Sequence, residues 1–521
     1  MAKAIKKLKL VHEEKFSLGV LIHQQVRAAV EQAVHEELAE VLGVELYERS
    51  EARRGERNGT KTRTLTGPTG PLELTLPRAR LFMPGGSEEW ASKLVPRYQR
   101  RVREDARRSR RGIAPGATAC HRSVMRWASA LSQDPGTPQA VAEAVAALRR
   151  ELGGERADLV VAFVSPHHRA AAADIPALVA AELPGALLVG CTGGGVIGAG
   201  HEVEQRAAVS LTAAALPGVE MAPFHLDTTD LPAASAPPPT WHAAIGVAPQ
   251  VRPKFLLLAD PLTLDAGALI AGLDLAYPRS SKFGGLASGG TAPGANRLFL
   301  RDQVFRSGVV GIALSGNLRV ETIVAQGCRP IGRPMLVTRC QGNVLFELDQ
   351  RPPLEWLSEL HEALPPRDRE LFRHSLFLGL EMKEDEVEYR EGELLVRNLV
   401  GIDRASGAIA VGAHLKQLQV AQFLLRDART ATEDLTRLLE RYRALMSVGP
   451  TGALLFSCLG RGAHLFGRPD HDTDLFREKL GEIPLGGFFC NGEIGPVGGA
   501  TFLHGYTSAF ALFQEESPAR G

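Results

Sequence analysis

The sequence predicts an α+β protein: two related mixed-sheet α/β domains, an internal duplication, preceded by a small basic helix-plus-hairpin segment. Three observations carry this expectation. The order strand, helix, strand, cysteine–glycine turn occurs at 159–195 and again at 453–492. Most strands are short apolar runs, such as Leu159–Val164 and Ala453–Phe456, closed by glycines or by a helix start. The charge is split: Met1 through Val124 hold 24 Lys/Arg against 15 Asp/Glu, a net of +9, which leaves −8 on the rest of a chain whose formal net charge is +1. The expected divisions are a basic fragment at 1–111, a linker at 112–124, and domains at 125–345 and 346–515.

The basic fragment opens with an amphipathic helix over about 20–46, where Leu21, Val26, Val30, Val34, Leu38 and Leu42 recur at helical spacing. A basic hairpin-like stretch follows, with Arg53, Arg54, Arg57, Lys61 and Arg63 as candidate DNA contacts. The Gly-Pro-Thr-Gly turn at 67–70 leads into an alternating strand, Leu72–Arg78. The arginine-rich run from Arg97 to Arg111 is either a solvated charge run or a salt-sensitive phosphate contact without sequence preference.

In the first domain a helix is expected over 138–152, strands at 159–164 and 187–189, and one strand-like segment from Val203 to Leu216. A strand at 255–258, a helix at 264–275, a glycine turn at Gly284–Gly290 and strands at 298–300, 308–314 and 322–325 complete it. In the second domain, helices are expected at 354–364, 430–444 and 473–480. Strands are expected at 376–380, 394–399, 409–411 and 453–457, and Phe488-Phe489 leads to a closing glycine turn.

The chemistry concentrates at the glycine turns, whose N–H groups are candidates to face a ligand. Gly193, Gly195 and Gly198 match Gly-x-Gly-x-x-Gly, but a strand-like segment follows where a dinucleotide site needs a helix. Cys191, Cys458 and Cys490 each end an apolar strand; packing alone explains such cysteines, and a thiolate nucleophile at Cys191 or Cys490 is the sharper alternative. His464, His471 and His504 are candidate bases, without a local nucleophile signature. Asp470-His471-Asp472-Thr473-Asp474 is read as helix capping in preference to a metal cluster. No paired-cysteine spacing indicates zinc or a disulfide framework among the six cysteines, and no cofactor or metal is expected. No apolar run approaches the roughly 18 residues of a membrane span, and the polar start is unlike a signal peptide, so a reduced, cytoplasmic setting is expected.

Two stretches carry resemblances. Residues 13–103 resemble the N-terminal region of mutator-type transposases, on the "RNG" turn at 57–59, the Leu72–Arg78 strand and Leu94-Val95-Pro96-Arg97-Tyr98. In that family this region helps to recognise the element's ends, and the metal-binding catalytic domain that should follow does not come after Arg103. Residues from about 125 to 513 resemble the FIST (F-box and intracellular signal transduction) sensory family, in its N- and C-terminal domains. The matches include Met125–Ala130, the turn at 190–198, Phe283–Ser288, Val396–Asp403, Leu425–Ala428, Phe456–Cys458 with Gly460–Gly462, and Phe489–Gly499 with Leu503–Gly505. Thr192 and Leu459 depart from the residues expected there.

The FIST resemblance implies a cytoplasmic signal-input module that binds a small ligand such as an amino acid and acts on a downstream signalling protein. The expected ligand site holds Cys191, Thr192, Gly193, Gly194, Cys458, Arg461, Cys490, Asn491, Glu493 and His504. There Arg461 suits a carboxylate and Glu493 an ammonium. No catalytic constellation is complete, so the expectation is a binding protein; a cysteine hydrolase or a DNA-binding transposase remnant are the alternatives.

Overall fold

A glycine at one register position recurs three times, and it reveals a repeat with one more copy than the sequence suggested. In the computed structural model Gly190 lies beside Ala162, Gly284 beside Leu257 and Gly487 beside Leu455, each on the second of two parallel strands. A Cβ on any of the three would stand 2.0, 1.9 or 1.9 Å from the neighbouring carbonyl oxygen, so no side chain fits there. The structure describes residues 124–382 and 394–516, and in the N-terminal section residues 55–67, 70–83, 86–90 and positions 34, 38, 41 and 42. The chain divides into two units, 1–118 and 119–520.

Within the larger unit each copy has the same plan. The first comprises strand Arg126–Ser132, helix Thr137–Leu152, strand Leu159–Val164, helix Ile175–Glu182, strand Leu187–Thr192, a hairpin, and strand Val209–Ala215. The second runs from Val219–Leu226 to Val309–Gly316, and the third from Arg319–Ala325 to Ser508–Gln514. The stretch expected to be a glycine turn at 284–290 is in part the buried strand Lys282–Leu286, parallel to Lys254–Ala259. Its glycines permit close backbone approach rather than reversal, which is why this middle copy escaped the sequence pattern.

The hairpins interlock the copies. Hairpin Gly195–Gly198/His201–Glu204 of the first copy joins the sheet of the third, pairing Ile197 with Gly487. The third copy's hairpin, Glu493–Val497/Ala500–His504, joins the second through Ile494 and Gly284. The second's, Leu298–Leu300/Gln303–Phe305, joins the first through Phe299 and Gly190. This exchange splits the strand expected over 203–216: His201–Glu204 belongs to one sheet and Val209–Ala215 to another, with Gln205 at φ 55° between them. The closing turn is likewise a hairpin, reversed at Gly498 and Gly499 with φ of 61° and 94°.

One face of each of the three six-stranded sheets packs on a shared central core, where Val189, Cys191, Leu256, Phe283, Phe456 and Phe488 meet. Phe163 stacks on Phe488 at 4.7 Å there. The other faces are covered by each copy's own helices. Helix Thr137–Leu152 carries Pro138 in its first turn, buries Val141, Val145, Leu148 and Leu152, and is closed by Gly153.

The third copy is interrupted between Ala325 and Asp427 by a closed barrel of strands Cys328–Gln341, Val344–Leu348, Ile409–Val411, Leu394–Ile402, Leu376–Glu381 and Val420–Arg426. The border expected at residues 345/346 falls inside Val344–Leu348. Cys328 pairs with Arg426, so the two ends of the insertion are neighbours.

In the N-terminal unit strands Gly55–Gly67, Gly70–Met83 and Gly86–Glu89 form an antiparallel sheet. Leu74 and Leu76 pack with Val34, and Ala79 with Leu38 and Leu42, so the expected four-residue spacing does cover a sheet. The Arg97–Arg111 run lies outside the described residues. Among the described residues no helix is long and apolar enough to cross a membrane.

Candidate ligand site

The third hairpin differs from its two counterparts at one pair of positions. Val196 opposite Val203 and Leu298 opposite Phe305 are apolar cross-strand pairs; the equivalent pair in the third copy is Glu493 opposite His504. Val196, Leu298 and Glu493 are all fully buried, so a carboxyl stands where symmetry calls for a hydrocarbon. Beside this pair, between the hairpin's sheet and the barrel, runs a cleft of about 590 Å³. Its polar lining comes chiefly from Arg397, Asn398, His414, Asn491, His504 and Tyr506.

Arg397 projects from barrel strand Leu394–Ile402. Its Nη1 donates to the Val396 carbonyl at 2.9 Å and its Nη2 to that of Leu503 at 3.0 Å. Burial pushes its guanidinium down to about 10, against the pull of Glu493. His504 contacts the Gly495 carbonyl through Nε2 at 3.0 Å, so that nitrogen carries the proton; Nδ1 is buried without a partner. Burial holds this imidazole down to about 4, hence neutral at physiological pH.

Tyr506 closes one side. It has φ 67°, an uncommon conformation for a bulky residue. Its hydroxyl donates to Asn398, and the Arg426 guanidinium lies 4.9 Å from its ring centroid. The Phe377 ring packs on it at 4.4 Å.

Of the ten expected ligand residues, the cleft gathers Asn491 and His504. Glu493 stands behind it: Oε2 accepts from the Thr507 amide at 3.1 Å and hydroxyl at 2.7 Å, and Oε1 from the Cys490 thiol at 3.3 Å. Burial raises this carboxyl to about 7. Arg461 is not free for a ligand carboxylate, because Asp472 already takes its fork at 2.8 and 2.9 Å with both side chains buried.

The turn N–H groups are spent as well. Gly193 donates to the Val164 carbonyl at 3.0 Å, Gly194 to Ser288 Oγ at 2.8 Å and Asn491 to the Leu286 carbonyl at 3.0 Å. Thr192 Oγ1 accepts from the Arg297 amide at 3.0 Å. All but the Gly193 bond join one copy to another, as the hairpin exchange requires. Cys191 and Cys490 are fully buried, and burial raises both thiols well above their ordinary range, the reverse of what a thiolate nucleophile requires. Cys458 is half-buried beside Cys490 in register, its thiol raised to about 12 by burial.

The aspartate cluster at 470–474 acts differently from simple capping. Asp470 makes no cap; it accepts from the Glu202 amide at 2.6 Å, and Glu202 in turn accepts from the Thr473 amide at 2.9 Å. A carboxyl group from the first copy's hairpin thus caps a third-copy helix. Among the described residues no His/Cys/Asp/Glu group could hold a metal ion.

Sequence reasoning did not single out Arg397, Asn398, His414 and Tyr506, which line this cleft. One signal was available: Arg397 interrupts the apolar run Leu394–Val400, where an unpaired cation is costly without a purpose. Arg53 and Arg54 lie outside the described residues, while Arg57, Lys61 and Arg63 lie on strand Gly55–Gly67, with Lys61 exposed.

With the geometry in place, comparison with known proteins decides the family. The FIST N domain profile matches residues 158–351 and the FIST C domain profile residues 355–496. An uncharacterized Mycobacterium tuberculosis protein, Rv0628c, is 39% identical over 389 residues, covering 75% of this chain and 100% of its own. The chain belongs to the FIST family. A second relative of this FIST chain, Mb0898c from Mycobacterium bovis, is 38% identical over 392 residues, again 75% of this chain and all of its own. F-box only protein 22 from Pongo abelii is 32% identical over 101 residues, 19% of this chain and 25% of that protein. The mutator-family transposase profile matches residues 2–109. A signal-transduction sensor module therefore follows a transposase-like region, as the motifs implied.

Proposed function

We propose that this FIST protein is a non-catalytic sensor that binds a small molecule in the cleft between the barrel and the sheet carrying the third hairpin. One observation carries the reading: a cleft of about 590 Å³, large enough for a metabolite, draws its polar groups from both bodies. A ligand held by Arg397 and Asn398 on the barrel and by Asn491 and Tyr506 on the sheet side ties the two together. Binding energy that depends on their relative position becomes a signal to a downstream protein. An amino acid-like metabolite is the ligand class that the family resemblance suggests.

Thermal-shift screening of the full chain against amino acids and related organic acids tests this reading. A true ligand at 100-fold excess over its Kd stabilises by about 2.7 kcal/mol. Asn491→Leu removes the shift while leaving the unliganded transition in place. A well-folded sample with no responding compound counts against the reading. For the transposase-like region, exposed Lys61 favours weak, salt-sensitive contact with duplex DNA. Filter binding checks it: retention that does not fall between low and high salt rejects it.

A further inference from the structure

The lining of the cleft says what charge its occupant carries. We propose that the cleft selects a small organic anion, with a carboxylate against Arg397 and an apolar body against Ile270, Leu395 and Phe502, in preference to a zwitterion or an amine. This rests on the cleft being the sensor's ligand site.

The lining is unbalanced in charge. Among the described residues the lining contains Arg397 and two imidazoles, His414 and His504, but no aspartate or glutamate. Arg397 has no carboxylate ion pair among the described residues; its hydrogen bonds go to the Val396 and Leu503 carbonyls. A guanidinium has five N–H donors, so three stay available after those two bonds, still in the planar fork that matches a carboxylate. The half-buried setting strengthens that match, since a desolvated cation without a counter-ion is costly.

The carboxyl whose field reaches Arg397 is that of Glu493, and it cannot serve as the ion-pair partner. It is fully buried and bonded to Thr507 and Cys490, facing away from the cleft lining. The same arrangement leaves an ammonium without an acceptor carboxylate in the lining and in the field of Arg397. His504 donates from Nε2 to Gly495, so it offers no N–H to an anion, and recognition of the carboxylate falls to Arg397. Beside the neutral polar groups of Asn398, Asn491 and Tyr506, the lining offers hydrocarbon from Ile270, Leu380, Leu395, Val396, Phe502 and Leu503, which suits the apolar part of the molecule.

The test uses matched compounds on the full chain, read by thermal shift and calorimetric titration. Leucine and phenylalanine are each supplied as the N-acetyl acid (anion), the free amino acid (zwitterion) and the amino amide (cation). The N-acetyl acids should bind at least tenfold tighter than the amides, with affinity falling as sodium chloride rises. Arg397→Gln should erase that ranking, and Arg397→Lys should keep part of it. The ranking among compounds is measured on the unmutated protein, so it decides even where a variant fails to fold. Equal binding of acid and amide, tighter binding of the amide, or an unchanged ranking in Arg397→Gln overturns the charge assignment alone. No response to any of the six compounds, nor to the wider metabolite panel, overturns the sensor reading on which it rests.

Discussion

Tyr506 and Glu202 show how single residues concentrate constraint. Tyr506 keeps a left-handed backbone because Asn398, Arg426 and Phe377 hold its ring and hydroxyl from three sides. Tyr506→Phe should lose about 1 kcal/mol in urea melts, the usual net worth of a hydrogen bond, and should weaken ligand binding through the freed Asn398. Glu202 is raised from about 4.5 to about 8 by burial and by Asp472. Its native form therefore holds a proton that the unfolded chain has released, and stability falls as pH rises from about 4.5 to 8. Glu493 acts in the same direction up to about 7. His504 opposes both, because its pKa is lowered from 6.5 to about 4 and stability rises with pH across that interval. Above pH 6.5 the glutamates act alone. Stability should drop by of order 1 kcal/mol between pH 6.5 and 8, and Glu202→Gln should flatten that drop in denaturant titrations.

At the scale of elements, the three equivalent glycines are the strongest constraint. Gly190→Ala, Gly284→Ala or Gly487→Ala drives a Cβ to within 2.0 Å of a backbone oxygen on a central parallel strand. Each should cost roughly 3 kcal/mol or more and shift the protein towards inclusion bodies. Gly449→Ala, with open space around it, should melt like the parent protein in calorimetry. The buried Arg461–Asp472 pair is a second element-level lock, joining the loop after Gly452–Cys458 to helix His471–Leu480. Asp472→Ala strands a buried guanidinium and should cost about 3–5 kcal/mol. Local pattern made many of these elements readable: Leu159–Val164, Lys254–Ala259 and Ala428–Leu445 announce themselves by apolar runs, helical spacing and an Asp427 cap. Arg126–Ser132, Cys328–Gln341 and Val420–Arg426 did not, because prolines, arginines and polar residues interrupt their alternation and their pairing partners are far away in the chain.

For the whole molecule, the barrel is an insertion with adjacent ends, Cys328 pairing with Arg426. Excising it and bridging Ala325 to Asp427 with a short linker should leave the three interlocked copies folded, as seen by retained near-ultraviolet circular dichroism, and should abolish ligand response. Limited proteolysis of the full chain should release a stable fragment beginning near residue 119, with its melting transition unchanged.

By itself the sequence determined the α+β class, the charge divide near residue 124, the repeated strand–helix–strand units and both family resemblances. These depend on local periodicity and on motifs of adjacent residues. Only the tertiary structure decided that the units number three, that their hairpins are exchanged, and that the turn amides are consumed in doing so. It gathers Asn491 and His504 with Arg397 and Tyr506 around one cleft, the site proposed for the ligand, and leaves the cysteines of the cysteine–glycine turns outside its lining. The physical reason is that hydrogen-bond satisfaction and charge compensation depend on partners up to a few hundred residues away, and no local pattern records which partner a buried donor will find.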